Sequence, residues 1–229
     1  MSKENTVMYQ PEVFSVNNLH EAQQIILTPE EGTSTEERWE KETPFLSDAI
    51  GNFINPSDKT ILIDYGCGIG RLAKELIAKY NCFVIGVDIS VSMRQIAPGY
   101  VQSDRFSIIS KDIFMKLVTS GMKVDCCIAA WVLQHCPRVE EDISLIKTSL
   151  KPEGLFFVLN NTIPAIPTNI GWVSDGKDIF TILKTEFTEI SSYKLPCSVT
   201  TKTISDNTFI MHLKKDGNSL SHMLMADEA

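Results

Sequence analysis

The run ILIDYGCGIGRL, from Ile61 to Leu72, constrains the fold more than any other stretch of the chain. An apolar segment ends in Asp64, glycines follow at positions 66, 68 and 70, and a helical period opens with Arg71 and Leu72. A buried strand that turns through glycines into a helix is the opening unit of a βαβ fold. The missing side chains let a ligand approach the backbone at the helix N-terminus. The alternation continues downstream. FVIGVD (83–88), FSII (106–109), VDCCIAA (124–130) and the second half of LKPEGLFFVLN read as strands. Helical periods separate them: over 69–80, in a short helix through Met93 closed by a Pro98-Gly99 turn, over 112–119, and over Val139, Ile143, Ile146 and Leu150. A helix near 175–185 precedes FTEISSY and TFIMHLKK, two strands joined by a loop. The pattern predicts the α/β class: a Rossmann-like, seven-stranded, mostly parallel sheet with an antiparallel last strand and helices on both faces.

Upstream, residues 1–32 show no clean period and read as an arm. Ser34 and Glu37 form a capping-box pattern in STEERWEKE. Thr43 and Pro44 read as a second helix start, with proline at the first helical position of a helix over 44–55. The expected division is an N-terminal arm or lid over 1–43, a domain over 44–214 and a flexible tail over 215–229.

The net charge of −8 leaves no basic footprint and argues against nucleic acid as a partner. Six cysteines without a CxxC pair or zinc-site spacing read as reduced thiols, and no metal is expected. The first residues, MSKENTVMYQ, carry no apolar signal-peptide core, and no apolar run approaches the ~18 residues of a membrane span. The chain reads as cytoplasmic.

For the ligand, a dinucleotide fingerprint would need a small residue where Arg71 stands; the third glycine falls one place early, at Gly70. That spacing disfavours a pyrophosphate. Asp88, closing the second strand, lies where an acid binds ribose hydroxyls, so an adenosine-type ligand is expected.

DYGCGIG together with GVDISVSM, KDIF and AAWVLQH, within a span from about Leu46 to Lys214, resembles the class I S-adenosylmethionine-dependent methyltransferases. The resemblance implies S-adenosylmethionine as cofactor and S-adenosylhomocysteine as product. It gives Asp64 the ligand's amino group and sets Gly66, Cys67, Gly68 and Gly70 against the methionine portion. It gives Asp88 both ribose hydroxyls, with Ile89 and Met93 against adenine. Asp112 would bond the adenine amino group with Ile113 beside it, and Ala129 and Ala130 would line the methionine side. Arg71 opposes the dipole of its own helix, and relatives with this glycine turn use such an arginine on the ligand's carboxylate.

The acceptor side is less defined. The proline-containing motif of nucleobase and glutamine methyltransferases is missing after the fourth strand. His135 is the best-placed general base there and the candidate catalytic residue. Trp131 is a candidate wall of the acceptor site, and Trp39 belongs to a lid drawn from residues 1–45 and the loop NTIPAIPTNIGW. Trp131, His135 and Asn161 also resemble the arrangement of protein N-terminal amine methyltransferases, with Asn160 standing where that family has an acid. So short a lid suits a small-molecule acceptor. A peptide amine acceptor and a non-catalytic partner subunit are the alternatives, and the oligomeric state is left open.

Overall fold

The computed structural model describes residues 7–217. Seven strands form one sheet: β1 Ile61–Tyr65, β2 Phe83–Val87, β3 Phe106–Ile109, β4 Val124–Ala130, β5 Leu150–Asn161, β8 Thr188–Tyr193 and β9 Thr208–Lys214, in the order β3-β2-β1-β4-β5-β9-β8. β9 pairs antiparallel with both β5 and β8, and the other pairings are parallel. The order reverses between β1 and β4, which opens a crevice at their carboxyl ends.

Period-2 burial follows the sheet's two covered faces. Ile63, Cys127 and Phe156 belong to a cluster with α5 Lys111–Thr119, α6 Val139–Ser149 and α7 Ile179–Glu186. Leu62, Cys126 and Phe157 belong to the opposite cluster, with α2 Thr35–Ile54 and α3 Arg71–Tyr80. α4 Val91–Val101 lies beside α3.

Several expectations change. The two helices expected at 34–55 are one, so the expected boundary at 43/44 falls inside α2. Its capping box is present: Ser34 Oγ accepts from the Glu37 amide at 3.2 Å, and Glu37 Oε2 accepts from the Ser34 amide at 3.0 Å. An internal proline costs ~3 kcal/mol. Burial of Leu46 and Ile50, two and six residues later, contributes about 1.5–3 kcal/mol each and offsets it. Pro98 and Gly99 likewise lie within α4, because Ala97 and Val101 on either side of them are buried; the helix ends instead at Gln102, with φ 53°.

The arm is structured where it is described. A 3-10 turn, Pro11–Phe14, and α1, Leu19–Ile26, precede α2. The loop after β5 holds a hairpin, β6 Ile166–Thr168 with β7 Gly171–Val173, and the five-residue α8, Lys202–Asp206, lies between β8 and β9. The N-terminal segment adds to that hairpin: Tyr9 bridges Thr168, the Gln10 amide donates to the Pro167 carbonyl at 3.0 Å and the Asn169 amide to the Met8 carbonyl at 3.0 Å. Beyond residue 217 the expected tail lies outside the described residues.

Candidate active site

At the carboxyl ends of β1, β2 and β4 the strands open into a cavity of about 1270 Å³. Single-ligand pockets run to roughly 300–1,000 Å³, so this one has room for two molecules. A second pocket of about 20 Å³ shares Gly66 and Ala130 with it and is bounded also by Asp64, Cys67 and Arg71.

The glycine turn is shaped by close approach. Gly66 has φ 73°, and a Cβ there would lie 2.3 Å from Val132 Cγ2. Gly68 has φ 55°, and a Cβ there would meet Ile26 of α1 at 2.7 Å. With its side chain gone, the Gly68 amide reaches Asp88 Oδ2 at 2.8 Å. The Ser90 amide reaches Asp88 Oδ1 at 2.8 Å, so both carboxylate oxygens are fixed by backbone and still carry free lone pairs. Burial raises the pKa of Asp88 against the opposing pull of those amides.

Asp64 is buried at the end of β1, and its Oδ2 has no hydrogen-bond partner. Burial pushes its pKa up to about 7, with the Arg71 cation pulling the other way. Arg71 is itself buried, donating to Thr43 Oγ1 at 3.1 Å and lying 5.5 Å over the Trp39 ring. Beside it, Glu42 of α2 accepts from Arg38 Nε at 2.8 Å and from Trp131 Nε1 at 3.2 Å. Two guanidinium groups and two carboxylates thus neutralise one another between α2 and the strand ends. Trp131 pays for its position with backbone strain: φ is 61°, a conformation that costs a bulky residue about 1–3 kcal/mol.

His135 projects from the turn Leu133–His135 after β4. Its Nδ1 lies 2.7 Å from the Ala165 carbonyl, which only accepts, so Nδ1 carries the proton. Nε2 is then the basic nitrogen, facing the Gln134 amide nitrogen at 3.2 Å. The rings of Phe14 and Trp172 lie 5.4 and 5.3 Å from the imidazole, and burial lowers its pKa below the usual 6.5.

Of the expected site residues, Gly66, Gly68, Asp88, Ile89 and Met93 border the large cavity, as do Ala130, Trp131, His135 and Asn161. Asp64, Cys67 and Arg71 border the small pocket. Gly70, Ala129, Asp112, Ile113 and Trp39 border neither. Gly70 is the N-cap of α3, and Ala129 is buried in β4. Asp112 and Ile113 are exposed on the first turn of α5, whose N-cap is Ser110. Trp39 packs edge-on against Tyr100, 6.3 Å away. Asn160 is spent internally: its Oδ1 accepts from the Gln134 amide at 3.1 Å and its Nδ2 donates to the Asn161 carbonyl at 3.0 Å.

The reading from sequence missed Tyr9, Phe14, Lys111, Gln134 and Asp142, all of which border the cavity. Among the described residues, four buried side-chain atoms lack a hydrogen-bond partner. Of the residues that carry them, Asp64 borders the small pocket, and Gln134 and Asp142 border the large cavity. Unpaired buried acceptors cost about 1–3 kcal/mol each, and their concentration here marks the cavity as a ligand site.

Residues 63–158 match the family described as a methyltransferase domain. A ubiquinone biosynthesis O-methyltransferase from Bartonella tribocorum is 32% identical over 110 residues, 47% of this chain and 44% of that protein. The chain thus spans less than half the length of this curated relative. Among solved structures, a magnesium protoporphyrin IX methyltransferase from Synechocystis with bound S-adenosylhomocysteine superposes with TM-score 0.60 at 16% identity, covering 86% of this chain and 94% of that one. The cyclase SpnF superposes with TM-score 0.61 at 16% identity, covering 76% and 81%. These two likenesses speak for the fold, and their different printed activities show that the fold alone does not choose the chemistry.

Proposed function

We propose that the chain is a class I S-adenosylmethionine-dependent methyltransferase that transfers a methyl group to a small-molecule acceptor, leaving S-adenosylhomocysteine, a reading supported by the methyltransferase-domain match over 63–158 and the O-methyltransferase relative. The observation that carries the reading is Asp88. Its two oxygens are aimed by the Gly68 and Ser90 amides, and it borders the cavity with lone pairs to spare, which suits the paired hydroxyls of a ribose. The other groups fit the same ligand. The unpaired oxygen of buried Asp64 suits an α-ammonium group, and Arg71 beside it suits the neighbouring carboxylate. Gly66 and Gly68 border the same cavity, and their missing side chains let Val132 and Ile26 close against the turn.

When bound, the sulfonium supplies an electrophilic methyl group whose transfer removes positive charge, so the protein has little new charge to stabilise. The chain's own task is to align the acceptor, exclude water and take a proton from a neutral acceptor. His135 Nε2 is the group for that proton. Its tautomer is fixed by Ala165, and its lowered pKa keeps it unprotonated at neutral pH. The acceptor space runs along Phe14, His135, Trp172 and Ile163, an aromatic and aliphatic wall that suits a flat or lipid-like small molecule. No helix among the described residues is long and apolar enough to cross a membrane. All six thiols are free, which supports a cytoplasmic setting.

The test is a transfer experiment. Protein, methyl-labelled S-adenosylmethionine and a lysate are incubated together, and the products are separated into small-molecule, lipid and macromolecular fractions. Label in the first two is expected. Label confined to protein would replace the small-molecule reading with a peptide amine acceptor.

A further inference from the structure

We propose that Gln134 is a positioning residue that serves both proton states of His135. Its amide donates to the neutral ring, then turns over and accepts from the ring once Nε2 holds the methyl acceptor's proton. The inference rests on the reading of His135 as the general base.

The structure holds the neutral state. His135 Nδ1 donates to the Ala165 carbonyl at 2.7 Å, so Nε2 carries a lone pair and calls for a donor opposite it. The Gln134 amide nitrogen fills that place at 3.2 Å. With the nitrogen committed there, Oε1 is left buried and without a hydrogen-bond partner. A buried unpaired oxygen is a cost that native side chains rarely bear. It persists here because the opposite orientation would set the amide oxygen against the lone pair of Nε2.

Protonation at Nε2 reverses that preference. The ring becomes a donor at both nitrogens, and an amide N–H facing Nε2 is then mismatched. Half a turn about the last side-chain torsion exchanges two groups of nearly equal shape, so Gln134 needs no extra room although it is only 2% exposed. The stranded oxygen then accepts from a charged donor, the stronger kind of hydrogen bond. The rest of the pair is pinned. The Gln134 backbone amide donates to Asn160 Oδ1 at 3.1 Å, its carbonyl accepts from the Ala165 amide at 2.7 Å, and the His135 amide donates to the Val132 carbonyl at 3.0 Å. The side-chain amide is left as the moving part.

The groups packed against the ring, Phe14, Trp172, Ala165 and Gln134, are all uncharged. Cys136, next on the same turn, gives its thiol to the Val132 carbonyl at 3.6 Å. Burial and, in the opposite sense, the Ala165 carbonyl are what move the pKa of His135. No ion therefore competes with Gln134 for the new N–H. In the transfer step the proton passes from the methyl acceptor to Nε2 while the acceptor's electron pair takes the methyl carbon. Sulfur keeps the pair of the broken bond, and the ring later returns the proton to water.

The experiment is NMR of the full chain, labelled at the histidine ring nitrogens and the glutamine side-chain amides. Above the ring's titration midpoint the Gln134 amide protons should show contacts to the imidazole. Below it those contacts should vanish and a hydrogen-bonded Nε2–H should appear. Amide protons that stay against the protonated ring would overturn the proposal. Gln134→Glu can only accept, so it should raise the proton affinity of His135 by about tenfold or more. The acid limb of labelled-methyl transfer to lysate acceptors should move up with it, and an unchanged ring affinity would overturn the proposal. Gln134→Met keeps the volume and can neither donate nor accept. Its transfer rate should fall about tenfold with S-adenosylhomocysteine affinity unchanged, and a wild-type rate would overturn the proposal. If Gln134→Glu does not fold, the wild-type spectra decide alone. A His135→Asn protein that transfers label at the wild-type rate would instead remove the general-base reading, a result distinct from each of these.

Discussion

The two walls of the cavity are made in different ways. One is the sheet's own edge, where Asp64, Asp88 and the glycine turn sit at strand ends and are aimed by backbone amides. The other is assembled from pieces distant in sequence: residues 9–14, the β6–β7 hairpin and the turn carrying His135, joined by the Tyr9–Thr168 bridge and three aromatic rings. The first wall is rigid wherever the sheet is folded. The second depends on α2, whose buried Arg38–Glu42 pair ties the N-terminal segment to Trp131 and thus to β4. On this view the sheet wall recognises the cofactor and the assembled wall selects the acceptor. Each can then be damaged without the other.

The largest effect is expected on the sheet wall. Asp88→Ala removes two charge-assisted hydrogen bonds to ribose, worth ~1.5–3 kcal/mol each, and S-adenosylhomocysteine affinity should fall by about a thousandfold. Calorimetry would show it, and the Gly68 and Ser90 amides left without their acceptor should lower the melting temperature as well. A loss below about tenfold would mean that the clamp by Gly68 and Ser90 serves only the loop.

Next is the tie between the walls. Glu42→Ala leaves Arg38 and Arg71 buried with one acid fewer and should cost about 3–5 kcal/mol of stability. Hydrogen exchange should rise in α1 and the first half of α2 more than in β1 or β4. Uniform acceleration across the sheet would show that the two walls are one cooperative unit.

What was legible in the sequence divides along the same line. Gly66, Gly68 and Asp88 were readable because local backbone geometry demands them: glycine where φ is positive and contact is close, and an acid where the second strand ends. The seven strands were readable because burial on two faces leaves continuous apolar runs. The assembled wall left no such mark. α1 spans eight residues, too few for its period to stand out. Pro44, which reads as a helix start, and Pro98-Gly99, which reads as a turn, are signals overridden by the burial of Leu46, Ile50, Ala97 and Val101. Asp142 sits in an acidic first turn that looks solvated, and only a partner 77 residues away, Tyr65, reveals it as interior. Asp112 is not the cap of its helix, which is Ser110, and it stands exposed on the first turn.

A third expectation tests the acceptor wall at its reactive atom. If His135 takes the acceptor's proton, His135→Asn should lower kcat about a hundredfold while S-adenosylhomocysteine binds as before. The active form is the unprotonated ring, and burial lowers the pKa. The wild-type rate should therefore rise with pH through a value below 6.5 and be flat at neutrality. Equal losses of kcat and cofactor affinity would contradict the separation of the walls.

The smallest effect sharpens the comparison most, because it moves a proton equilibrium from the far wall. Trp172 is more than half exposed, yet its ring lies 5.3 Å from the imidazole and 6.1 Å from Phe14. Trp172→Ala opens that side of His135 to water, which relieves the desolvation that holds its pKa down. The acid limb of the rate profile should then move up, toward 6.5, and the acceptor's KM should rise about fivefold, the equivalent of ~1 kcal/mol of lost aromatic contact. Affinity for S-adenosylhomocysteine should not change, since Trp172 touches none of the strand-end acids. An acid limb that stays in place while KM rises would assign Trp172 to acceptor contact alone and leave Phe14 and the Ala165 carbonyl to set the state of His135.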